Sequence, residues 1–326
     1  MSKRIHLVCN SHLDPVWRWQ WEDGLTETIS TFRIACDFCD KYPNFRFNHN
    51  ESLLYEWIEE YDPALFARIQ RLVKDGRWHI AGGAYLQPDV NGPSGESHIR
   101  QFLYGQQYFQ DRFDVRPTTA YNFDPFGHAE GFQQILKGCG VDSYIFCRPN
   151  LGTWELPVGA FHWLSRSGEG VLARRSDEMY VSRHNLGQRL GHWLEHYKEE
   201  EVTLFLWGLG NHGGGPSEVD WQQLRDFAES HPEYEFVQST PEAFFAEARE
   251  KNGDFPVVRG ELENSFVGCY TSMSRIKRGH RAAEALMAAT ERLSALAWWR
   301  GAFDYRAADL ETAWKDILFC EFHDIF

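Results

Sequence analysis

His12 and Asp14 stand two residues apart in Ser11-His12-Leu13-Asp14-Pro15, just after a strand-like run that closes at Cys9. In extended backbone two such residues project to the same side, and the carboxyl end of a strand is where α/β sheets hold ligands. An imidazole and a carboxylate so placed can share one divalent ion, while a loop pair that bonds only to itself is the plainer reading of these two alone. Asp124, in Asn122-Phe123-Asp124-Pro125-Phe126-Gly127-His128, also follows a strand, in a Pro/Gly setting that equally suits an Asx turn. His323-Asp324 follows a helical pattern at the far end of the sequence. Taken together, His12, Asp14, Asp124 and His323 make a two-histidine, two-carboxylate set of the kind that holds zinc or another divalent ion.

Strands and helices must bring these distant residues together. Ile5–Cys9, Phe45–Asn48, Trp78–Gly82, Thr118–Phe123, Tyr144–Cys147 and Thr203–Trp207 read as strands. Thr26–Lys41, Ser52–Glu60, Pro63–Asp75, Gly95–Phe113 and Phe132–Cys139 have apolar residues spaced near 3.6 and read as helices. Such alternation predicts an α/β fold with a mostly parallel sheet and helices packed around it. Ser217–Glu229 opens like a capping box, with Asp220 three residues after Ser217, and Pro241–Lys251 follows as another helix. Past Asn252–Glu263 the strands stop, and Ser274–Trp299 and Asp304–Glu321 carry helical stripes of Ile276, Leu286, Leu293 and Leu296, then Leu310, Trp314 and Ile317. The division expected is a β/α catalytic domain over 1–264 and a partial helical bundle over 265–326, its third helix lying beyond Phe326.

The sequence has 326 residues, 43% hydrophobic and 25% charged, which suits one large α/β domain plus a smaller unit. A net charge of −14 repels phosphate backbones and anionic headgroups, so neither nucleic acid nor a membrane surface is expected as a partner. Homo-oligomer formation is compatible with the composition. The N-terminus passes from Met-Ser-Lys-Arg directly into a strand with no signal-peptide core, which predicts a cytoplasmic protein. The seven cysteines are scattered, and only Cys36 and Cys39 stand at C-x-x-C spacing, inside a helical pattern. Buried free thiols are expected there rather than a four-cysteine zinc site. Thirteen tryptophans exceed what a core needs, and ring faces that bind sugars are one use of the surplus.

Four segments carry a resemblance: Ser11–Trp17, Gly82–Gln101 with Gln87-Pro88-Asp89 and Pro93-Ser94-Gly95-Glu96, Asp124-Pro125-Phe126-Gly127-His128, and His323-Asp324. In order and spacing they resemble the α-mannosidases of glycoside hydrolase family 38, across nearly the whole sequence. The resemblance implies a seven-stranded β/α barrel-like domain, then a three-helix bundle and large β-sandwich domains, so that these residues would be a C-terminally truncated catalytic region. It also implies a zinc ion held by His12, Asp14, Asp124 and His323 that orients two hydroxyls of a mannose ring, with Asp124 also the nucleophile of a retaining mechanism. By the same matching Trp17 and Phe126 would stack on the sugar, Arg148 would hold Asp124 or a substrate oxygen, and Asp324 would bond a hydroxyl. The expected ligand is a mannoside or mannose-containing oligosaccharide.

A retaining glycosidase also needs a general acid. The family places an Asp in the loop that matches Gly210-Asn211-His212-Gly213-Gly214-Gly215-Pro216, where this sequence has Asn211 and His212. An amide cannot donate the proton, whereas His212 can supply or relay one; Asp89 and Glu218 are the other candidates. The loop's glycines suit close backbone approach better than phosphate binding, because no Gly-Lys-Ser/Thr ending is present. Two further readings stand beside the mannosidase. One is a metal-dependent carbohydrate deacetylase, which needs no covalent nucleophile. The other is a truncated metal- and sugar-binding chain with little turnover.

Overall fold

A computed structural model describes residues 3–326 except Met179, Arg183, Asn211, His212 and Asn264. In chain order its strands are β1 (Lys3–Cys9), β2 (Phe47–His49), β3 (Trp78–Ile80), β4 (Thr119–Asn122), β5 (Gly127–His128), β6 (Ser143–Phe146), β7 (Ala160–Leu164), β8 (Gly170–Arg175), β9 (Val202–Trp207), β10 (Tyr234–Gln238), β11 (Val257–Arg259) and β12 (Leu262–Glu263). The first five-stranded sheet centres on β1. It runs parallel to β9 with Val8 opposite Leu206, to β10 with Ile5 opposite Phe236, and to β2 at Cys9 and Phe47, while β3 lies beyond β2. A second five-stranded sheet has the order β11-β7-β8-β6-β4, parallel except between β7 and β8. The Gly82 N–H donates to the Thr119 carbonyl at 2.8 Å, tying the end of β3 to the start of β4.

The sequence explains why these strands sit inside. β9 reads Val-Thr-Leu-Phe-Leu-Trp and is buried at every position, because Phe205 and Trp207 pack with helix residues such as Trp193 while Leu204 and Leu206 pack with Tyr121, Ile145 and Leu172 of the second sheet. Trp21–Lys41 packs Phe32, Ala35, Cys36 and Cys39 inward, where Phe32 meets Trp78 edge-on at 5.0 Å and Tyr55 at a tilt at 5.2 Å. Ser217 caps Glu218–Ser230 by accepting the Asp220 N–H at 3.1 Å.

Several elements escape the sequence patterns. β8 ends in Arg174-Arg175, which looks like surface, yet both are buried: Arg174 pairs with Glu200 at 3.1 Å and donates to Thr203 Oγ1 at 3.0 Å. Leu186–His196 forms a helix despite Gly187 and Gly191. Along Ser274–Trp299 the stripe of Ile276, Leu286, Leu293 and Leu296 is exposed, and the buried side chains are His280, Glu284 and Met287. In Ala307–Phe319, Trp314 and Leu318 are buried. Among the described residues no helix is long and apolar enough to cross a membrane.

Candidate metal and sugar-binding site

Each predicted ligand sits just past the end of an element. After β1, the Asn10 N–H donates to the Trp207 carbonyl at 2.9 Å, which aims His12 and Asp14 off the sheet edge. Gly208, with φ +129, lets this segment approach β9, since a Cβ there would lie 2.0 Å from the Asn10 carbonyl oxygen. After β4, the Phe123 N–H donates to Gln87 Oε1 at 2.8 Å and Asn122 Nδ2 to the Pro88 carbonyl at 3.1 Å, fixing the backbone that leads to Asp124. After Ala307–Phe319, Phe322 pairs with Pro88 in an isolated antiparallel bridge, and the Asp89 N–H donates to the Glu321 carbonyl at 2.8 Å. His323 is thereby carried onto the Gln87–Asp89 loop.

The structure brings all four residues together, and all are buried. His12 Nε2 lies 2.9 Å from Asp14 Oδ1, and His323 Nε2 lies 3.7 Å from Asp14 Oδ1 and 3.8 Å from Asp124 Oδ2. Burial works against a charged His12, but Asp14, then Asp124 and Glu51, pull its pKa up to about 9. His323 Nδ1 donates to the Gln87 carbonyl at 2.9 Å, which leaves the lone pair on Nε2. His323 Nε2 has no hydrogen-bond partner among the described residues, and His12 Nε2 faces only the Asp14 carboxylate, although both are enclosed. Buried imidazole nitrogens that converge with carboxylates in this way are what a divalent cation would satisfy. The residues present therefore fit a metal.

The other predicted residues are distributed as follows. Arg148 Nε donates to Asp124 Oδ1 at 2.5 Å, and its guanidinium lies 5.0 Å over the Phe266 ring. Phe126 stands edge-on to His323 at 6.2 Å and to Phe266 at 5.2 Å. Asp324 Oδ2 lies 3.9 Å from His323 Nε2, and burial raises its carboxyl pKa. Trp17 is 40% exposed on the segment after Asp14, with the Arg18 guanidinium 4.5 Å over its ring. Asp89 is nearby, but its oxygens are taken. Oδ1 accepts the N–H groups of Asn91 and Gly92 at 2.9 and 2.6 Å, and Oδ2 the Tyr270 hydroxyl at 2.7 Å. Glu218 is a surface residue paired with Lys41 at 2.6 Å. Asn211 and His212 lie outside the described residues; Gly210 would place a Cβ 3.1 Å from the His12 amide nitrogen.

Three residues of the site were not singled out by type or spacing. Gln87 touches both histidines, with its amide nitrogen 3.2 Å from His12 Nδ1, and Tyr180 lays its ring 4.4 Å from the His12 ring. Glu51 accepts from the same Gln87 amide; it is wholly buried, its φ is +68, and burial pushes its carboxyl up to about 7. Only Gln87 had a signal, as a member of a quoted motif. Cys36 and Cys39 are buried free thiols whose pKa burial pushes up to about 12, and all seven cysteines are free.

The mixed α/β fold thus brings imidazoles, carboxylates and an arginine-clamped aspartate together at its strand ends as a candidate metal centre. Residues 2–261 match the glycosyl hydrolases family 38 N-terminal domain, and residues 264–326 the alpha mannosidase middle domain. The chain belongs to glycosyl hydrolase family 38. It is 29% identical to alpha-mannosidase G of Dictyostelium discoideum and 28% identical to human alpha-mannosidase 2C1, in each case over 98% of this chain. It spans 30% and 31% of those relatives' lengths. The crystal structure of an alpha-mannosidase from Enterococcus faecalis V583 superposes with a TM-score of 0.83 at 19% identity, covering 99% of this chain and 39% of that one. A polysaccharide deacetylase from Mycobacterium smegmatis shares the fold more distantly, with a TM-score of 0.55 at 10% identity over 79% of this chain and 94% of that one.

Proposed function

We propose that the chain is the catalytic region of a retaining α-mannosidase that acts on terminal α-mannosides with a divalent metal, zinc by preference. His12, Asp14, Asp124 and His323 would hold the metal, which supplies Lewis acidity and a template for sugar hydroxyls. The observation that carries this reading is the Arg148–Asp124 pair beside the convergent histidines. Arg148 engages Oδ1 and fixes the orientation of the Asp124 carboxylate, so that it can attack the anomeric carbon and form a covalent mannosyl-enzyme. Asp324 is placed to accept a hydroxyl proton, and Phe126 and Trp17 offer ring faces to the sugar.

The proton for the leaving oxygen is assigned to the Asn211-His212 loop, with His212 the group able to deliver it. Asp89 suits that role less, because three donors already saturate its carboxylate. The two sheets joined at Gly82 and Thr119 support the family's seven-stranded barrel-like arrangement. A division near 264 and a three-helix bundle belong to the same reading. Seven free cysteines favour a reducing, cytoplasmic setting. An activated fluoro-mannoside tests the proposal: it should label Asp124, seen by peptide mass spectrometry, and Asp124→Ala should abolish labelling while the fold is retained. Label on another residue, or acetate release from an N-acetyl sugar without any labelling, would overturn it.

A further inference from the structure

A second cluster of metal-ligating groups lies on the other side of the segment that carries His323. His280 and Glu284 are one helical turn apart on Ser274–Trp299, and Glu321 faces them from the end of the last helix. One ligand atom from each falls within 4.8 Å of the other two. Glu284 and Glu321 are 4% and 0% exposed and His280 is 8% exposed. His280 Nε2 lies 3.2 Å from Glu321 Oε1 and Nδ1 lies 3.8 Å from Glu284 Oε2, yet neither ring nitrogen, nor Glu321 Oε1, makes a hydrogen bond among the described residues.

The far oxygens of both carboxylates are already oriented. Glu284 Oε1 accepts the Ser94 N–H at 2.7 Å and the Ser97 hydroxyl at 2.5 Å, and Glu321 Oε2 accepts the Gln101 amide at 3.1 Å. Glu321 thereby has one oxygen fixed by an outer donor and Oε1 turned toward His280, the usual surroundings of a metal carboxylate. Glu284 Oε2 also accepts Arg281 Nη1 at 2.5 Å, and Arg281 Nη2 donates to the Gly92 carbonyl at 2.6 Å.

We propose that His280, Glu284 and Glu321 form a second divalent-cation site, distinct from the His12 set and structural in effect. One imidazole and two carboxylates suit zinc, manganese or cobalt better than calcium, which takes six to eight oxygens. Tetrahedral zinc would hold its ligand atoms about 3.4 Å apart, close to the 3.2 Å between His280 Nε2 and Glu321 Oε1. Such a site joins three pieces of the chain: the helix Ser274–Trp299, the start of Gly95–Phe113, and the turn that presents His323 two residues after Glu321.

The test is zinc stoichiometry on the 326-residue chain after chelator stripping, by calorimetry and elemental analysis. The His12→Gln chain should still bind one equivalent, and adding His280→Gln should remove it. If the His12 set holds no metal, the unaltered chain binds a single equivalent that His12→Gln spares and His280→Gln abolishes, so the two proposals fail separately. Should the His280→Gln chain not fold by far-UV circular dichroism, Glu284→Gln, which keeps an acceptor for Ser94 and Ser97, replaces it. No zinc bound by the His12→Gln chain, or an equivalent that survives the folded His280→Gln or Glu284→Gln change, overturns the site.

Discussion

The main-chain carbonyl of Gln87 accepts the Nδ1–H of His323 at 2.9 Å, while the side chain of the same residue reaches His12 Nδ1 at 3.2 Å. Gln87 thus sets the ring orientation of both histidines, and its Oε1 also holds the Phe123 N–H beside Asp124. Gln87→Ala should lower metal affinity about 10- to 100-fold, the usual cost of removing an outer partner of a ligand. Zinc titration against a competing chelator measures it, and unchanged affinity would show that Gln87 is only filler.

Arg148 tests the clamp on Asp124. Removing the guanidinium leaves a buried carboxylate without its cation, so Arg148→Ala should cost about 2–4 kcal/mol of transition-state stabilisation, a drop in kcat/KM of roughly 30- to 1,000-fold. Arg148→Lys should recover only part, because a lysine lacks the planar fork. Steady-state kinetics on an aryl mannoside, or labelling rates with the fluoro-mannoside, separate these outcomes.

Glu51 gives a pH-dependent prediction. Burial raises its folded pKa to about 7 against an ordinary value of 4.5, so the folded state holds a proton that the unfolded state has lost between those pH values. Stability therefore falls as pH rises from about 4.5 to about 7, by about 3 kcal/mol in all. Glu51→Gln removes that loss. Its advantage over the parent in urea melts should be absent near pH 4.5 and full by pH 8, and a pH-independent difference would contradict the assignment.

Gly24 is a case where local and tertiary effects have opposite signs. Within the helix Trp21–Lys41, a Gly→Ala change on propensity alone should stabilise by about 1 kcal/mol. Here the added Cβ would lie 2.1 Å from the Pro15 carbonyl oxygen, one residue after Asp14. Gly24→Ala should instead lower Tm and weaken metal binding together, by forcing the His12–Pro15 segment outward.

How much of this was legible depended on where the information was local. Strands such as β1 and β9 and the helix Gly95–Phe113 announce themselves because one period of apolar residues decides them. β8 does not, because Arg174 and Arg175 look like surface until Glu200, Thr203 and Asp177 supply buried partners from elsewhere in the chain. The clustering of His12, Asp14, Asp124 and His323 was expected from residue type together with a family resemblance. Gln87, Tyr180 and Glu51 were not, since a glutamine, a tyrosine and a glutamate gain meaning only from what folds against them. The Ile276–Leu296 stripe shows the reverse failure: its period marks an apolar face without saying what it faces.

The Phe322–Pro88 bridge and the histidine set beyond it also bear on the chain's topology as a polymer. All seven cysteines are free, so no covalent link shortens any loop. His12 and His323 lie near opposite ends of the sequence, and side chains there that share one cation close nearly the whole chain into a single ring. Tying a loop of that size restricts the denatured ensemble by roughly 5–6 kcal/mol on the chain-entropy estimate used for disulfides. Ligation at this site would serve as a reversible cross-link, opened by a chelator rather than by a reductant.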